Sequence, residues 1–120
     1  ASIRVHTEDE WVFATTVREN LRVGNPEAGD GVMQEALDAV GLPLELDLLL
    51  TDGAGSLSSG QRRRLLLARA LCSTAPVLLL DEPTAHIAAD DAGRLLGMLT
   101  TGPLPGARAE RSVLVVTHED

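Results

Sequence analysis

The chain has 120 residues, a length that suits one domain built around a single hydrophobic core. Its formal net charge of -8 argues against a broad basic surface for nucleic acid or anionic lipid. The one cysteine permits neither an internal disulfide nor a cysteine-based metal cluster, and no stretch approaches the ~20 apolar residues that a membrane helix requires.

The first half of the chain predicts one short strand followed by two helices. The letters SIRVHTED suggest a strand that runs into an acidic loop, and TTVRENLRV suggests a helix. Thr15 or Thr16 is the expected N-cap of that helix, and Glu19 is spaced to close a capping box with Thr16. Apolar residues at helical spacing between positions 31 and 40 predict the next helix, with Asp30 as its cap. The segment from 44 to 56 is compatible with a short helix or an extended connector.

The second half of the chain predicts an α/β fold with a parallel sheet. LSSGQRRRLLLARALCSTAP begins with a turn and continues as a strong helix, which Pro76 ends. VLLL, from residue 77, and SVLVV, from residue 112, are unalternating apolar runs, typical of strands buried on both faces of a parallel sheet. DDAGRLLGMLT lies between them as a helical crossover. Residues 77 to 116 therefore predict a βαβ unit.

Ionisable residues follow both predicted strands. Asp81 and Glu82 come directly after VLLL, and Thr117 and His118 come after SVLVV. Because open parallel sheets bind ligands at the carboxyl ends of their strands, two carboxylates and an imidazole are expected at one edge. Such a set suits a metal ion and an activated water. Taken alone, an Asp-Glu pair is more often two solvated loop acids, and a lone histidine is more often an ordinary surface residue.

The turn LSSGQ is a second candidate site. Serine hydroxyls and a glycine at the start of a helix present backbone N-H groups together with the positive end of the helix dipole, which favours phosphate. The alternative is a plain helix cap with no ligand. The position of this turn, one helix before VLLLDEP, favours the phosphate interpretation. The residues concerned are Ser58, Ser59, Gly60 and Gln61.

Three motifs in this order resemble those of ATP-binding-cassette (ABC) ATPases. LSSGQRRRLLLARAL, PVLLLDEPTAH and SVLVVTHED are similar to the signature helix, the Walker B strand and the switch-histidine strand of that family. The resemblance implies a partial RecA-like P-loop NTPase sheet. An inserted helical subdomain would span about residues 14 to 75, and residues 76 to 120 would form the Walker B to switch-histidine part of the core. The letters EDEWVFATTVRENL are further similar to exporter-type cassettes, in particular to the CydC/CydD subunits of bacterial thiol (cysteine or glutathione) exporters.

The resemblance implies a role for each ionisable residue. Asp81 would bind Mg2+, while Glu82 would orient and deprotonate the water that attacks the γ-phosphate of ATP. His118 would contact that phosphate. Ser58, Ser59, Gly60 and Gln61 would bind ATP across an interface with a second ABC ATPase domain. A transmembrane domain of the same transporter would be the other partner, nucleic acid would not be one, and the chain would lie at the cytoplasmic face of the membrane.

The sequence departs from the family pattern at four points. Glu8 replaces the Q-loop glutamine among the nucleotide-binding residues, Ser59 replaces a signature glycine, and Ala88 replaces the D-loop aspartate. Because these are coupling positions, a heterodimer with unequal sites is expected. The chain also has no G-x-x-x-x-G-K-[ST] loop and no lysine. We therefore interpret it as a fragment that is inactive alone, whose P-loop lies upstream of residue 1 in the parent protein.

Two alternatives belong to other functional classes. A chromosome-maintenance or DNA-repair ATPase shares the signature and Walker B motifs, but it inserts a long coiled coil. The letters FATTVRENL and the short spacing from Glu8 to Leu57 disfavour that class. A catalytically silent interaction domain is the other alternative, and the presence of Glu82 and His118 argues against it.

Overall fold

A computed structural model describes residues 3 to 7, 10 to 101 and 110 to 117. Within these ranges no helix has the length and hydropathy needed to cross a membrane. The elements, in chain order, are β1 (Ile3–His6), α1 (Val17–Arg22), α2 (Asp30–Val40), a short 3-10 helix (Gly53–Ser56), α3 (Ser59–Cys72), β2 (Val77–Asp81), α4 (Ala89–Thr100) and β3 (Ser112–Val116).

The three strands form one parallel sheet in the order β1-β2-β3. Leu79 in the central strand is in register with Val5 of β1 and with Leu114 of β3. Helix α4 makes the crossover from β2 to β3, so the predicted βαβ unit and its two adjacent parallel strands are confirmed. The α/β fold class is confirmed with them.

The prediction that the strands are buried on both faces is wrong for this sheet. Leu78 and Leu80, on one face of β2, are fully buried in the same apolar cluster as Leu95 of α4. On the other face Val5 is 46% exposed and Leu114 is 59% exposed. The described helices thus cover one face only, because alternate side chains of a strand point to opposite faces of a sheet.

Helix α3 runs through the centre of the core. All eight residues from 65 to 72 are buried, including the arginine at position 69. Most apolar residues of α1 and α2 pack in the same cluster, and Leu21, Met33 and Leu37 among them are fully buried. A helix that is buried on all sides forms the interior of a domain, and residues 65 to 72 of α3 occupy that position.

The helix starts differ in part from the sequence predictions. Thr16 is the N-cap of α1, and its Oγ1 accepts a hydrogen bond of 3.1 Å from the backbone N-H of Glu19. Asp30 does not cap α2; it is the first helical residue, and Gly29 is the N-cap without a side-chain hydrogen bond. The reason is that both carboxylate oxygens of Asp30 accept hydrogen bonds from Arg18, each 3.2 Å long.

The ambiguous segment before α3 is mainly an extended connector. Leu49 forms an isolated antiparallel bridge with Thr16, and the backbone N-H of Leu50 donates to the carbonyl of Thr15 over 2.8 Å. Only the four residues Gly53–Ser56 are helical, as one 3-10 turn. This connector therefore leads from α2 to α3 and is hydrogen-bonded to the start of α1 on the way.

Candidate functional site

The carboxylate pair lies at the carboxyl edge of the sheet. Asp81 is the last residue of β2 and is in register with Val116, the last residue of β3. The backbone N-H of Glu82 donates to the carbonyl of Val116 over 2.8 Å. The two strands therefore end together, as the sequence predicted. His118 and Glu8, which were expected at the same site, lie outside the described residues.

The chain turns sharply after the carboxylate pair. Glu82 has φ 50° and His86 has φ 67°, so both adopt the left-handed conformation that side chains other than glycine rarely enter. Each such residue costs about 1 kcal/mol and persists only where its surroundings hold it. Here the N-H of Ala85 donates to the carbonyl of Glu82 over 3.2 Å, and Pro83 is buried. The backbone at Glu82 is thus fixed on both sides.

The turn LSSGQ at the start of α3, called the signature turn from here on, is a complete capping box. Ser58 Oγ accepts from the N-H of Gln61 over 3.1 Å, and Gln61 Oε1 accepts from the N-H of Ser58 over 2.9 Å. These two side chains therefore bind each other. Because the first N-H groups of a helix lack intrahelical acceptors, the backbone donors of Ser59 and Gly60 are the ones that this turn offers to an anion, within the described residues.

Gly60 of the signature turn packs against the turn that follows Asp81 and Glu82. A Cβ atom added at Gly60 would lie 3.1 Å from the carbonyl oxygen of His86, which is closer than an ordinary van der Waals contact. The start of α3 thus packs directly on the backbone four residues after Glu82. Sequence reasoning assigned Gly60 to nucleotide binding alone, since no spacing in the sequence indicates this close approach.

A cluster of partly or fully buried ionisable residues surrounds Glu10, close in the chain to Glu8. The Glu10 carboxylate accepts from Arg4 Nη2 over 2.7 Å and from the N-H of Thr7 over 3.1 Å, and His6 Nδ1 lies 3.4 Å away. Burial acts to raise the pKa of Glu10, but His6 and the charge of Arg4 outweigh it, so the pKa lies below its ordinary value. Burial lowers the pKa of His6, and Glu10 offsets only part of this effect.

Arg69 of α3 completes this cluster and is only 2% exposed. Its guanidinium donates to the carbonyl of Asn20 over 2.8 Å, to the carbonyl of Trp11 over 2.9 Å and to Asn20 Oδ1 over 3.2 Å. Sequence reasoning missed Glu10, His6 and Arg69 altogether. The available signal was the position of Arg69 inside the apolar run LLLARAL, where a charged side chain is buried only if it is paired.

The carboxylate pair has the donor chemistry that magnesium prefers. The described residues hold no group of three or more His, Cys, Asp or Glu side chains that could form a complete protein-only metal site. Mg2+ usually takes one or two carboxylates and completes its shell with phosphate oxygens and water. Asp81 and Glu82, both partly exposed at the sheet edge, fit such a site when a phosphate ligand is present.

The sequence matches the profile of the ABC transporter family over residues 1–85. The chain is 39% identical to the glutathione/L-cysteine transport system ATP-binding/permease protein CydC of Escherichia coli, over 96% of this chain and 19% of that protein. The CydD protein of the same organism is 34% identical, over 88% of this chain and 18% of its own length. The mycobactin import protein IrtB of Mycolicibacterium thermoresistibile is 33% identical, over 98% of this chain and 21% of its own length.

The fold also matches a solved structure of a bacterial Atm1-family ABC exporter with ATP bound. The TM-score is 0.76 at 20% sequence identity, and the match covers 96% of this chain and 21% of that one. The chain therefore spans about a fifth of the length of the proteins that it matches. At this identity the structural match describes the fold of the chain.

Proposed function

Because the chain belongs to the ABC transporter family, we propose that it supplies part of the ATP-hydrolysing machinery of an exporter-type membrane transporter. The observation that carries this proposal is the joint geometry of two motifs. Asp81 and Glu82 stand where two parallel strands end together, and Gly60 of the signature turn packs on the backbone that follows them. The proposed phosphate-binding turn thus packs on the backbone that follows the carboxylate pair.

In this proposal the two adjacent acids have different tasks. Asp81 would hold Mg2+, and the metal would neutralise charge on the phosphate oxygens of ATP. Glu82 orients the attacking water and accepts its proton, and the fixed backbone on both sides of Glu82 supports that task. Since phosphoryl transfer depends mainly on positioning and electrostatic stabilisation, a rigid carboxylate pair is what the reaction needs.

The remaining nucleotide contacts would come from three other places in the chain. The first is the signature turn, in which the N-H groups of Ser59 and Gly60 bind phosphate while Ser58 and Gln61 keep the turn closed. The second is Glu8, whose carboxylate would bind the metal or a water on the metal. The third is His118, with the γ-phosphate as its partner.

The proposed partners are a second ABC ATPase domain and a transmembrane domain. The signature turn would face the ATP held by the second ATPase domain, at the cytoplasmic side of the membrane. Ser59, Ala88 and Glu8 depart from the family pattern at coupling positions, which favours a heterodimer with unequal sites. The names of the CydC and CydD relatives favour cysteine or glutathione as the transported molecule.

The test is the Glu82→Gln substitution in the full-length transporter. We expect ATP binding to persist while steady-state hydrolysis falls by ~100-fold or more, the upper part of the range for loss of a general base. Glu35→Gln, which removes an exposed carboxylate from α2, is the matched control and should hydrolyse ATP at the unmodified rate. Unchanged turnover in the Glu82→Gln protein would refute the assignment of Glu82. An unmodified transporter without ATPase activity would instead indicate a silent domain.

A further inference from the structure

The turn after Glu82 leads directly into helix α4, which begins at Ala89. Within this turn the N-H groups of Ala85 and Ile87 donate to the backbone carbonyls three residues earlier, over 3.2 and 3.1 Å. The N-H of Glu82 itself is bonded to the end of β3. Residues 82 to 91, called the linking segment from here on, therefore form a series of hydrogen-bonded turns that starts at the proposed general base.

Helix α3 contacts the linking segment at two places. A Cβ atom added at Gly60 would lie 3.1 Å from the carbonyl oxygen of His86, and Arg64 Nη2 donates to the carboxylate of Asp91 over 2.9 Å. Gly60 and Arg64 are four residues apart in α3, so they lie on the same face of that helix. One face of α3 thus holds the middle and the far end of the linking segment.

The guanidinium of Arg64 is itself anchored on α2. Its side chain is only 14% exposed, and Arg64 Nη1 donates over 2.7 Å to the carbonyl of Val40, the last residue of α2. Gly41 leaves space for this contact, since an added Cβ there would lie 3.2 Å from Arg64 Nη1. The planar guanidinium therefore binds α2 with one nitrogen and α4 with another at a fixed separation, which the single ammonium of a lysine does not provide.

The contact with Arg64 specifies where α4 begins more than it stabilises the fold. Ala88 is the N-cap of α4 and makes no side-chain hydrogen bond there, so the first turn of this helix has no side-chain cap. Half of the Asp91 side chain is exposed, and ion pairs that water reaches contribute little to stability. Loss of the pair should therefore release the start of α4 while the protein stays folded.

We propose that Arg64 is a positioning residue for ATP hydrolysis, which holds Asp91 and through it the segment that carries Glu82. The inference rests on the proposed function, because only that function gives Glu82 a catalytic task. A displacement of ~1 Å at a reacting centre can lower the rate by ~100-fold, so partial release of the linking segment should slow the reaction without removing a contact with ATP.

The experiment measures ATP hydrolysis by Arg64→Gln and Asp91→Ala variants of the full-length transporter, well below its unfolding temperature. We expect each substitution to lower kcat by about tenfold and to change the KM for ATP by less than about threefold, since an orientation is lost rather than a ligand contact. The double variant should be no slower than either single variant, because the two side chains act as a pair. A normal kcat in Asp91→Ala would overturn the inference, since Arg64 would then act through α2 alone.

Arg18 is the matched control for a purely structural role. Its guanidinium binds Asp30 over 3.2 Å and also Asp47, so it joins α1 to the start of α2 and to the connector before α3. If buried and half-buried arginines only stabilise the fold, Arg18→Gln and Arg64→Gln should both leave turnover by the folded protein unchanged. We expect Arg18→Gln alone to keep kcat within about twofold of the unmodified rate. Equal kcat values in the two variants would contradict the inference.

Amide hydrogen exchange gives a readout that does not depend on ATPase activity. In Arg64→Gln the amides of Ala85 and Ile87 should exchange about tenfold faster, whereas in Arg18→Gln they should be unchanged. Unchanged exchange in Arg64→Gln would overturn the inference, and so would faster exchange with a normal kcat. An unmodified transporter that does not hydrolyse ATP would refute the proposed function instead, and exchange in that protein would still test whether Arg64 holds the linking segment.

Discussion

The helical part, residues 17 to 72, and the three-stranded sheet are stabilised to different extents by the residues described. In the helical part, most apolar side chains of α1, α2 and α3 are fully buried against one another. The sheet buries Leu78 and Leu80 on one face, while Val5 and Leu114 on the other remain exposed. The signature turn therefore begins a helix with a closed core, whereas Asp81 and Glu82 end a sheet that is packed on one side. Within the described residues, the helical part therefore buries its apolar side chains more fully than the sheet does.

The two regions also differ in the unfavourable feature that each contains: a buried charge in the helical part and backbone strain at the sheet edge. In the helical part the buried guanidinium of Arg69 makes three hydrogen bonds, so the cost of burying it is offset locally. At the sheet edge Glu82 and His86 keep left-handed backbone conformations, a strain that proteins concentrate at functional sites. The helical part thus offsets its polar burial locally, whereas the sheet edge holds its backbone strain beside the two residues proposed for catalysis.

The largest expected effect comes from one substitution made in each region. Leu71→Ala removes a fully buried side chain of α3 and should lower the free energy of unfolding by about 2 to 5 kcal/mol. Leu114→Ala makes the same chemical change on the exposed face of β3 and should change it by less than about 1 kcal/mol. Urea unfolding of both variants measures the difference. Equal losses would show that the exposed face is covered in solution and would break the comparison.

A pH-dependent effect is expected where the two regions meet, at His6 of β1. Burial lowers the pKa of His6 below its ordinary value of 6.5, so the unfolded chain takes up this proton before the folded chain does. The contribution of neutral His6 to stability is thus complete above pH 6.5 and is lost as the pH falls through the pKa of the folded state. The slope can reach at most ~1.4 kcal/mol per pH unit for one proton.

The measurement is the free energy of unfolding between about pH 7.5 and pH 5. His6→Gln should flatten the loss of stability in this window, and His86→Gln, at an exposed histidine, should leave it unchanged. The pKa of Glu10 is also lowered, from a starting value of 4.5, so its contribution is lost only at more acidic pH. A loss of stability that is as steep in His6→Gln as in the unmodified chain would contradict a buried neutral histidine.

Local patterns in the sequence were sufficient for the elements and insufficient for the contacts between them. The apolar runs VLLL and SVLVV predicted the two strands because a run of apolar residues is a local property of the sequence, whereas their predicted burial on both faces depended on neighbours and was wrong. Asp30 failed as a helix cap because its carboxylate binds Arg18, twelve residues away. Glu10 and Arg69 were missed for the same reason on a larger scale, since Arg62 and Arg69 of α3 bind the carbonyls of Glu10 and Trp11, each more than fifty residues away in the chain. Charged residues are usually exposed, and only the fold shows which of them are paired.

The smallest expected effect concerns the N-cap of α1, where the helical part begins. The sequence allowed Thr15 or Thr16 as the N-cap of α1, and the structure selects Thr16, whose Oγ1 accepts from the N-H of Glu19. Thr16→Ala removes that acceptor and should lower the free energy of unfolding by about 1 kcal/mol. Thr15→Ala should change it by less than about 0.5 kcal/mol, because its backbone carbonyl still accepts from Leu50 after the substitution. Thermal unfolding of the two variants side by side measures the difference, and a larger loss in Thr15→Ala would place the start of α1 one residue earlier.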